Sequence, residues 1–117
     1  MINKIENLKL AVIGLGYVGL PLALEFSKKK TVIGFDINKN RIKELKSGVD
    51  KNLEFNKEEL QRAQQLKLTD NIDDLKSVNC FIITVPTPID EFKKPDLRPI
   101  FHASEIISKI LKKSDLI

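Results

Sequence analysis

Cysteine, histidine, methionine and tyrosine each occur once in this 117-residue sequence, and tryptophan is absent. A lone Cys80 excludes an intrachain disulfide and any cysteine-based zinc cluster. With His102 the only imidazole, no second histidine can share a metal, so a structural place on a helix beside Phe101 and Ala103 is expected for it. No apolar run approaches the roughly 20 residues needed to cross a bilayer. Residues 1–9 alternate apolar with charged side chains and lack the hydrophobic run and small-residue cleavage site of a secretory leader. A cytoplasmic protein with no membrane partner is predicted. Charge of one sign is not concentrated either. Lysine and arginine outnumber acidic residues eleven to seven before Glu59 and match them nine to nine from there on. The longest basic run, Lys28-Lys29-Lys30, comes without an aromatic or helix-turn-helix pattern, so no nucleic-acid partner is expected.

What is present is ordinary globular composition, 42% hydrophobic and 31% charged, over a length that suits one domain rather than a cofactor domain plus a substrate domain. Short apolar runs alternate with longer helical patterns, as in a parallel sheet built from strand-helix-strand units. Residues 10–13, 31–35, 66–69 and 80–85 read as strands, and Leu116 and Ile117 as the first residues of a fifth. The first strand, Leu10-Ala11-Val12-Ile13, is apolar without alternation, as a strand buried on both faces should be. A helix is expected over 17–27, with Val18, Leu22, Ala23 and Phe26 inward and Pro21 in the first turn, where no hydrogen bond is lost. Asn38 suits a second helix N-cap, with Ile42 and Leu45 inward and Gly48 at the left-handed terminus. Asn56 and Glu59 resemble a capping box opening a helix to about residue 65. A short helix near 72–77 and a last one over about 99–112 complete the pattern, the latter after a loop punctuated by Pro86, Pro88 and Pro95. The predicted class is α/β, a Rossmann-type doubly wound parallel sheet occupying residues 1–117 and cut short near the start of its fifth strand. In the order 3-2-1-4-5-6 such a chain leaves 80–85 as an open apolar edge, so self-association through that edge is expected.

Gly14-Leu15-Gly16-Tyr17-Val18-Gly19 reads G-x-G-x-x-G between the first strand and the first helix, and Asp36 closes the second strand 22 residues after Gly14. That spacing is the dinucleotide fingerprint. Gly14 permits the turn off the strand, Gly16 admits a pyrophosphate to the backbone, and Gly19 lets the helix pack closely on the sheet. The pyrophosphate is expected on the free N–H groups of the helix beginning near Tyr17. A bare structural turn is the alternative for the glycines, and helix capping the alternative for Asp36. A carboxylate there accepts hydrogen bonds from ribose hydroxyls and repels a 2′-phosphate, which favours NAD over NADP. Arg41 leaves two readings open: recruitment of a 2′-phosphate, or a place beside ribose and adenine.

Residues 11–21 together with Ile83-Thr84-Val85-Pro86-Thr87-Pro88 resemble the N-terminal domain of the UDP-glucose/GDP-mannose dehydrogenase family. More narrowly, Gly34-Phe35-Asp36-Ile37-Asn38, Leu45-Lys46-Ser47-Gly48-Val49-Asp50 and Lys94-Pro95-Asp96-Leu97 are similar to the bacterial UDP-N-acetylhexosamine 6-dehydrogenases of surface-polysaccharide synthesis. The resemblance implies an enzyme in which NAD takes hydride twice from C6 of a nucleotide sugar, by way of a thiohemiacetal on a catalytic cysteine. It implies that Gly14, Gly16, Tyr17, Val18 and Gly19 surround the pyrophosphate, Asp36 and Arg41 the adenosine half, and Thr87 the nicotinamide end, with Val85 and Pro86 walling the crevice. The family's catalytic cysteine, lysine and asparagine, its dimerising helix and its UDP-sugar-binding domain would lie beyond Ile117, so this stretch alone is expected to be inactive and its parent a homodimer. Cys80, at the head of an apolar strand, is read as core. Two other classes remain: a non-catalytic NAD-sensing module, and a methyltransferase holding adenosine with the same glycine turn.

Overall fold

A computed structural model describes residues 5–117, so residues 1–4 of the N-terminal stretch read above as no leader lie outside the described residues. Four parallel strands, β1 (Leu10–Ile13), β2 (Val32–Phe35), β3 (Leu66–Thr69) and β4 (Cys80–Ile83), form one sheet in the order β3-β2-β1-β4. Around it run α1 (Gly19–Ser27), α2 (Lys39–Lys46), α3 (Lys57–Arg62) and α4 (Arg98–Ser108). The Rossmann class and the 3-2-1-4 order are as the sequence predicts.

Alternation along β1 explains the two cores. Leu10 and Val12 face one side with Leu15, Leu20, Ala23, Leu24, Ile42 and Leu45, while Ala11 and Ile13 face the other with Phe35, Phe81, Ala103, Ile106 and Ile107. A strand whose successive side chains point to opposite faces must be apolar throughout when helices cover both.

The first helix corrects the expected buried stripe. Val18 is 66% exposed and Phe26 37%, whereas Gly19, Leu20, Ala23, Leu24 and Ser27 are buried. The phase is fixed at Gly19, which packs so closely on the Gly14 backbone that only the hydrogen side chain can face inward. From there the helical period carries positions 20, 23, 24 and 27 onto the sheet. Ser27 is tolerated because its hydroxyl donates to the Leu24 carbonyl at 2.7 Å.

The second helix is as expected. Asn38 Oδ1 accepts the N–H groups of Asn40 and Arg41, Ile42 and Leu45 are buried, and Gly48 has φ +84°. Asn56 Oδ1 likewise accepts Glu59 N–H at 2.9 Å, but α3 ends at Arg62, short of residue 65. The short helix near 72–77 is a 3-10 turn over Ile72–Leu75, and α4 stops at Ser108 rather than 112.

The expected open edge is partly closed. Leu116 bridges to Cys80 in parallel, its carbonyl accepting Phe81 N–H at 2.8 Å and its own N–H donating to Asn79 at 2.9 Å. Phe81 is buried in the core beside α4, and of β4 only Ile82 and Ile83 lie past the bridge, so the uninterrupted edge over 80–85 is corrected to a shorter one. Of the two residues expected to open a fifth strand, Leu116 makes this one isolated bridge and Ile117 makes none.

Candidate functional site

In a sheet ordered 3-2-1-4 the chain leaves β1 toward β2 on one side and is flanked by β4 on the other, which opens a crevice at the carboxyl ends of these strands. A cavity of about 530 Å³ occupies this place. Gly14, Leu15 and Gly16 form its floor, Asp36 and Ile37 leave β2 beside it, Val85 and Pro86 follow β4, and His102, Ala103 and Ile106 of α4 close the far wall.

The turn is clamped in its first half and free in its second. Gly14, at φ +99°, donates its N–H to the Phe35 carbonyl at 2.8 Å and accepts the Thr84 hydroxyl at 2.7 Å. Leu15 donates its N–H to Asp36 Oδ2 at 3.0 Å and accepts Arg41 Nε at 2.8 Å, with its side chain wholly buried. Beyond Leu15 the N–H groups of Gly16, Tyr17 and Val18 find no acceptor among the described residues, and α1 has no side-chain cap. A Cβ built at Gly16 would meet nothing within 4 Å. The result is a helix N-terminus with three unspent donors and open space in front of it, which is what an anionic group requires.

Asp36 does more than end a strand. Its Oδ2 receives Leu15 N–H and its Oδ1 receives Asn38 N–H at 2.9 Å, so one carboxylate joins the glycine turn to the start of α2. Each oxygen keeps a further lone pair for a hydroxyl.

Arg41 is engaged from several sides. Besides Leu15, its Nη1 donates to Asp50 Oδ1 at 2.9 Å and lies 3.5 Å from Glu44 Oε2, while Nη2 is buried with no partner among the described residues. Glu44 also pairs with Lys51 at 2.9 Å, and Lys51 and Asn52 line the crevice. The Lys51 hydrogen bond, against an opposing push from burial, keeps the Glu44 carboxyl below its ordinary value, with Arg41 adding to the effect. Burial pushes the Asp50 carboxyl up, but the Arg41 hydrogen bond and charge, with the Asn52 and Phe55 N–H groups, outweigh it and hold it below the usual range.

A carboxyl whose folded value is depressed stabilises the fold above its unfolded value, near pH 4, and loses that contribution as pH falls through the folded value. The urea midpoints of the wild type and Asp50→Asn are therefore expected to differ near neutrality and to converge on acidification. Parallel midpoints down to about pH 3 would remove Asp50 from the acid response.

Of the residues predicted for the site, Gly14, Gly16, Asp36, Arg41, Val85 and Pro86 line one crevice. Tyr17 and Val18 are exposed and do not line it, Gly19 is buried behind the turn, and Thr87 is exposed on the loop after β4. Thr84, Asp50, Lys51, Asn52 and Ile106 were not foreseen, since each reaches the site through tertiary contact. His102 faces the crevice from α4, and among the described residues no three His, Cys, Asp or Glu side chains gather to hold a metal. Cys80 is buried away from the crevice, where burial pushes its thiol up against the opposing charge of Lys30. It is core, as expected.

A model of the NAD binding domain of the UDP-glucose/GDP-mannose dehydrogenase family matches residues 8–117. The chain belongs to this family. Its cofactor is NAD. Over 96% of its length the chain is 59% identical to a UDP-N-acetyl-D-glucosamine 6-dehydrogenase of Pseudomonas aeruginosa, and over 97% it is 55% identical to one of Salmonella typhi. The solved structure of a UDP-D-ManNAc dehydrogenase from Pyrococcus horikoshii superposes with a TM-score of 0.82 at 36% identity, across 93% of this chain and 27% of that one. The chain spans 26% and 27% of the length of these two curated relatives. Family membership excludes the methyltransferase reading.

Proposed function

We propose that the chain is the cofactor-binding part of a nucleotide-sugar 6-dehydrogenase that oxidises C6 of a UDP-hexose or UDP-N-acetylhexosamine to a uronate in polysaccharide biosynthesis. The observation that carries the substrate class is 59% identity, over almost the whole chain, to a UDP-N-acetyl-D-glucosamine 6-dehydrogenase. The chain's residues suit NAD on a physical test of their own, because the three unspent N–H groups and the bare Gly16 position match a pyrophosphate in charge and space.

In this reading Gly14, Gly16, Tyr17 and Val18 surround the pyrophosphate and Gly19 holds the helix against the turn. Asp36 accepts the adenosine ribose hydroxyls, with Arg41 behind it. Ile37, Ala103 and Ile106 would offer the base an apolar wall, and Val85, Pro86 and Thr87 would face the nicotinamide end. Bound there, NAD supplies the hydride acceptor. The chain's own part is to bind, to orient and, through Phe35, Val85 and Ile106, to exclude water from the crevice. A homodimeric, cytoplasmic parent belongs to the same reading, and Ile82 and Ile83 are the remaining edge through which the isolated chain would self-associate.

Titration calorimetry of this chain tests the cofactor half. NAD is expected to bind more tightly than NADP, and Asp36→Ala to weaken NAD by about 1–3 kcal/mol while narrowing the preference. Equal affinities in the wild type would sink the ribose role. Incubated with NAD and UDP-N-acetylglucosamine, the chain should form no NADH, because its one thiol is buried in β4.

A further inference from the structure

Asp50 lies in the irregular segment between α2 and α3, yet its side chain is completely buried. All its hydrogen bonds are accounted for: Oδ1 accepts Arg41 Nη1 at 2.9 Å and Asn52 N–H at 3.1 Å, and Oδ2 accepts the N–H groups of Glu54 at 3.1 Å and Phe55 at 3.2 Å. Burying a carboxylate against a guanidinium gains little over an apolar pair of the same volume, so stability alone gives no reason for it. What the pair does achieve is orientation. A guanidinium is a flat, rigid fork, and with Nη1 held by Asp50 its Nε points at the Leu15 carbonyl. Leu15 is the last clamped residue before the free N–H groups of Gly16, Tyr17 and Val18.

The same arrangement decides what Arg41 cannot do. Turning the guanidinium to meet an added phosphate would break its bonds to both Asp50 and Leu15, with Glu44 at 3.5 Å holding it further. Lys51, the other cation on this wall, is itself held by Glu44. Asp36, Glu44 and Asp50 thus outnumber Arg41 and Lys51 around this end of the crevice.

We propose that Asp50 is a positioning and specificity-determining residue for the dinucleotide: by engaging Arg41 it fixes the Leu15 peptide in the pyrophosphate geometry and withholds the guanidinium from a 2′-phosphate. The proposal rests on NAD occupying this crevice. It gives the 2′-position a second determinant besides Asp36, one that touches neither nucleotide.

The test is the ratio of NADP to NAD dissociation constants for this chain, measured by calorimetry on the wild type, Asp50→Asn and Arg41→Lys, each checked by its thermal melt. In Asp50→Asn the partner keeps its shape and loses its charge. NAD is expected to weaken about tenfold while NADP weakens less or gains, so that the ratio shrinks. Equal weakening of both, or no change in either, would overturn the proposal, because a merely structural Asp50 moves the two together. Arg41→Lys keeps the charge but loses the fork, and should shrink the ratio in the same direction. If Asp50→Asn does not fold, Arg41→Lys decides alone, and an unchanged ratio there refutes the proposal. A wild-type chain that binds neither nucleotide would instead refute the NAD reading of the crevice.

Discussion

Gly16→Val is expected to abolish NAD binding in this domain while leaving its unfolding free energy within about 0.5 kcal/mol of the wild type. The two halves of that expectation have separate causes. A Cβ at Gly16 meets no atom within 4 Å, and the backbone there is not left-handed, so the folded protein has room for a side chain to branch there without backbone strain. The space is empty because it lies in front of the unspent N–H groups of Gly16, Tyr17 and Val18. An isopropyl group there stands where a pyrophosphate oxygen must come to reach them. Calorimetry and a thermal melt on one sample read both halves. Wild-type affinity in the valine variant would place the phosphates elsewhere, and an early melt would show that the glycine serves the backbone.

Gly19→Ala is expected to do the reverse, costing about 3–5 kcal/mol of stability, a large part of the 5–15 typical of a domain. The added methyl would overlap the Gly14 carbonyl oxygen and the Thr84 hydroxyl and stand 2.8 Å from the Gly14 carbonyl carbon. The Gly14 obstacle is backbone, which cannot rotate away. Helix α1 must then lift, breaking the hydrogen bond from Thr84 to Gly14 and loosening Leu20 and Leu24 from the core. Urea unfolding measures the loss. Adding Thr84→Ala should not restore stability, because the clash with Gly14 persists, and full restoration would trace the fault to the hydroxyl alone.

These two glycines share one motif and differ in what they serve, which marks how far the sequence can be read. The motif, its place between a buried strand and a helix, and Asp36 at the end of the next strand were legible because all three are local in the chain. So were the Asn38 cap, the Gly48 terminus and the apolar β1. The α1 stripe was not, since its rotational phase is set by the contact of Gly19 with Gly14 across the turn rather than by the helix's own pattern. The open edge over 80–85 was overdrawn for a similar reason: a single bridge from Leu116 sufficed to start its cover.

The chain order of strands and helices, the parallel sheet and the glycine turn follow from short-range pattern, because strand alternation, helix caps and glycine backbone freedom act within a few residues. Which groups hold the turn was decided by tertiary structure alone. Thr84 reaches Gly14 across 70 residues and Arg41 reaches Leu15 across 26. Asp50 acts only through Arg41. A buried polar group must find a partner wherever the fold brings one, and one-dimensional pattern carries no record of that meeting.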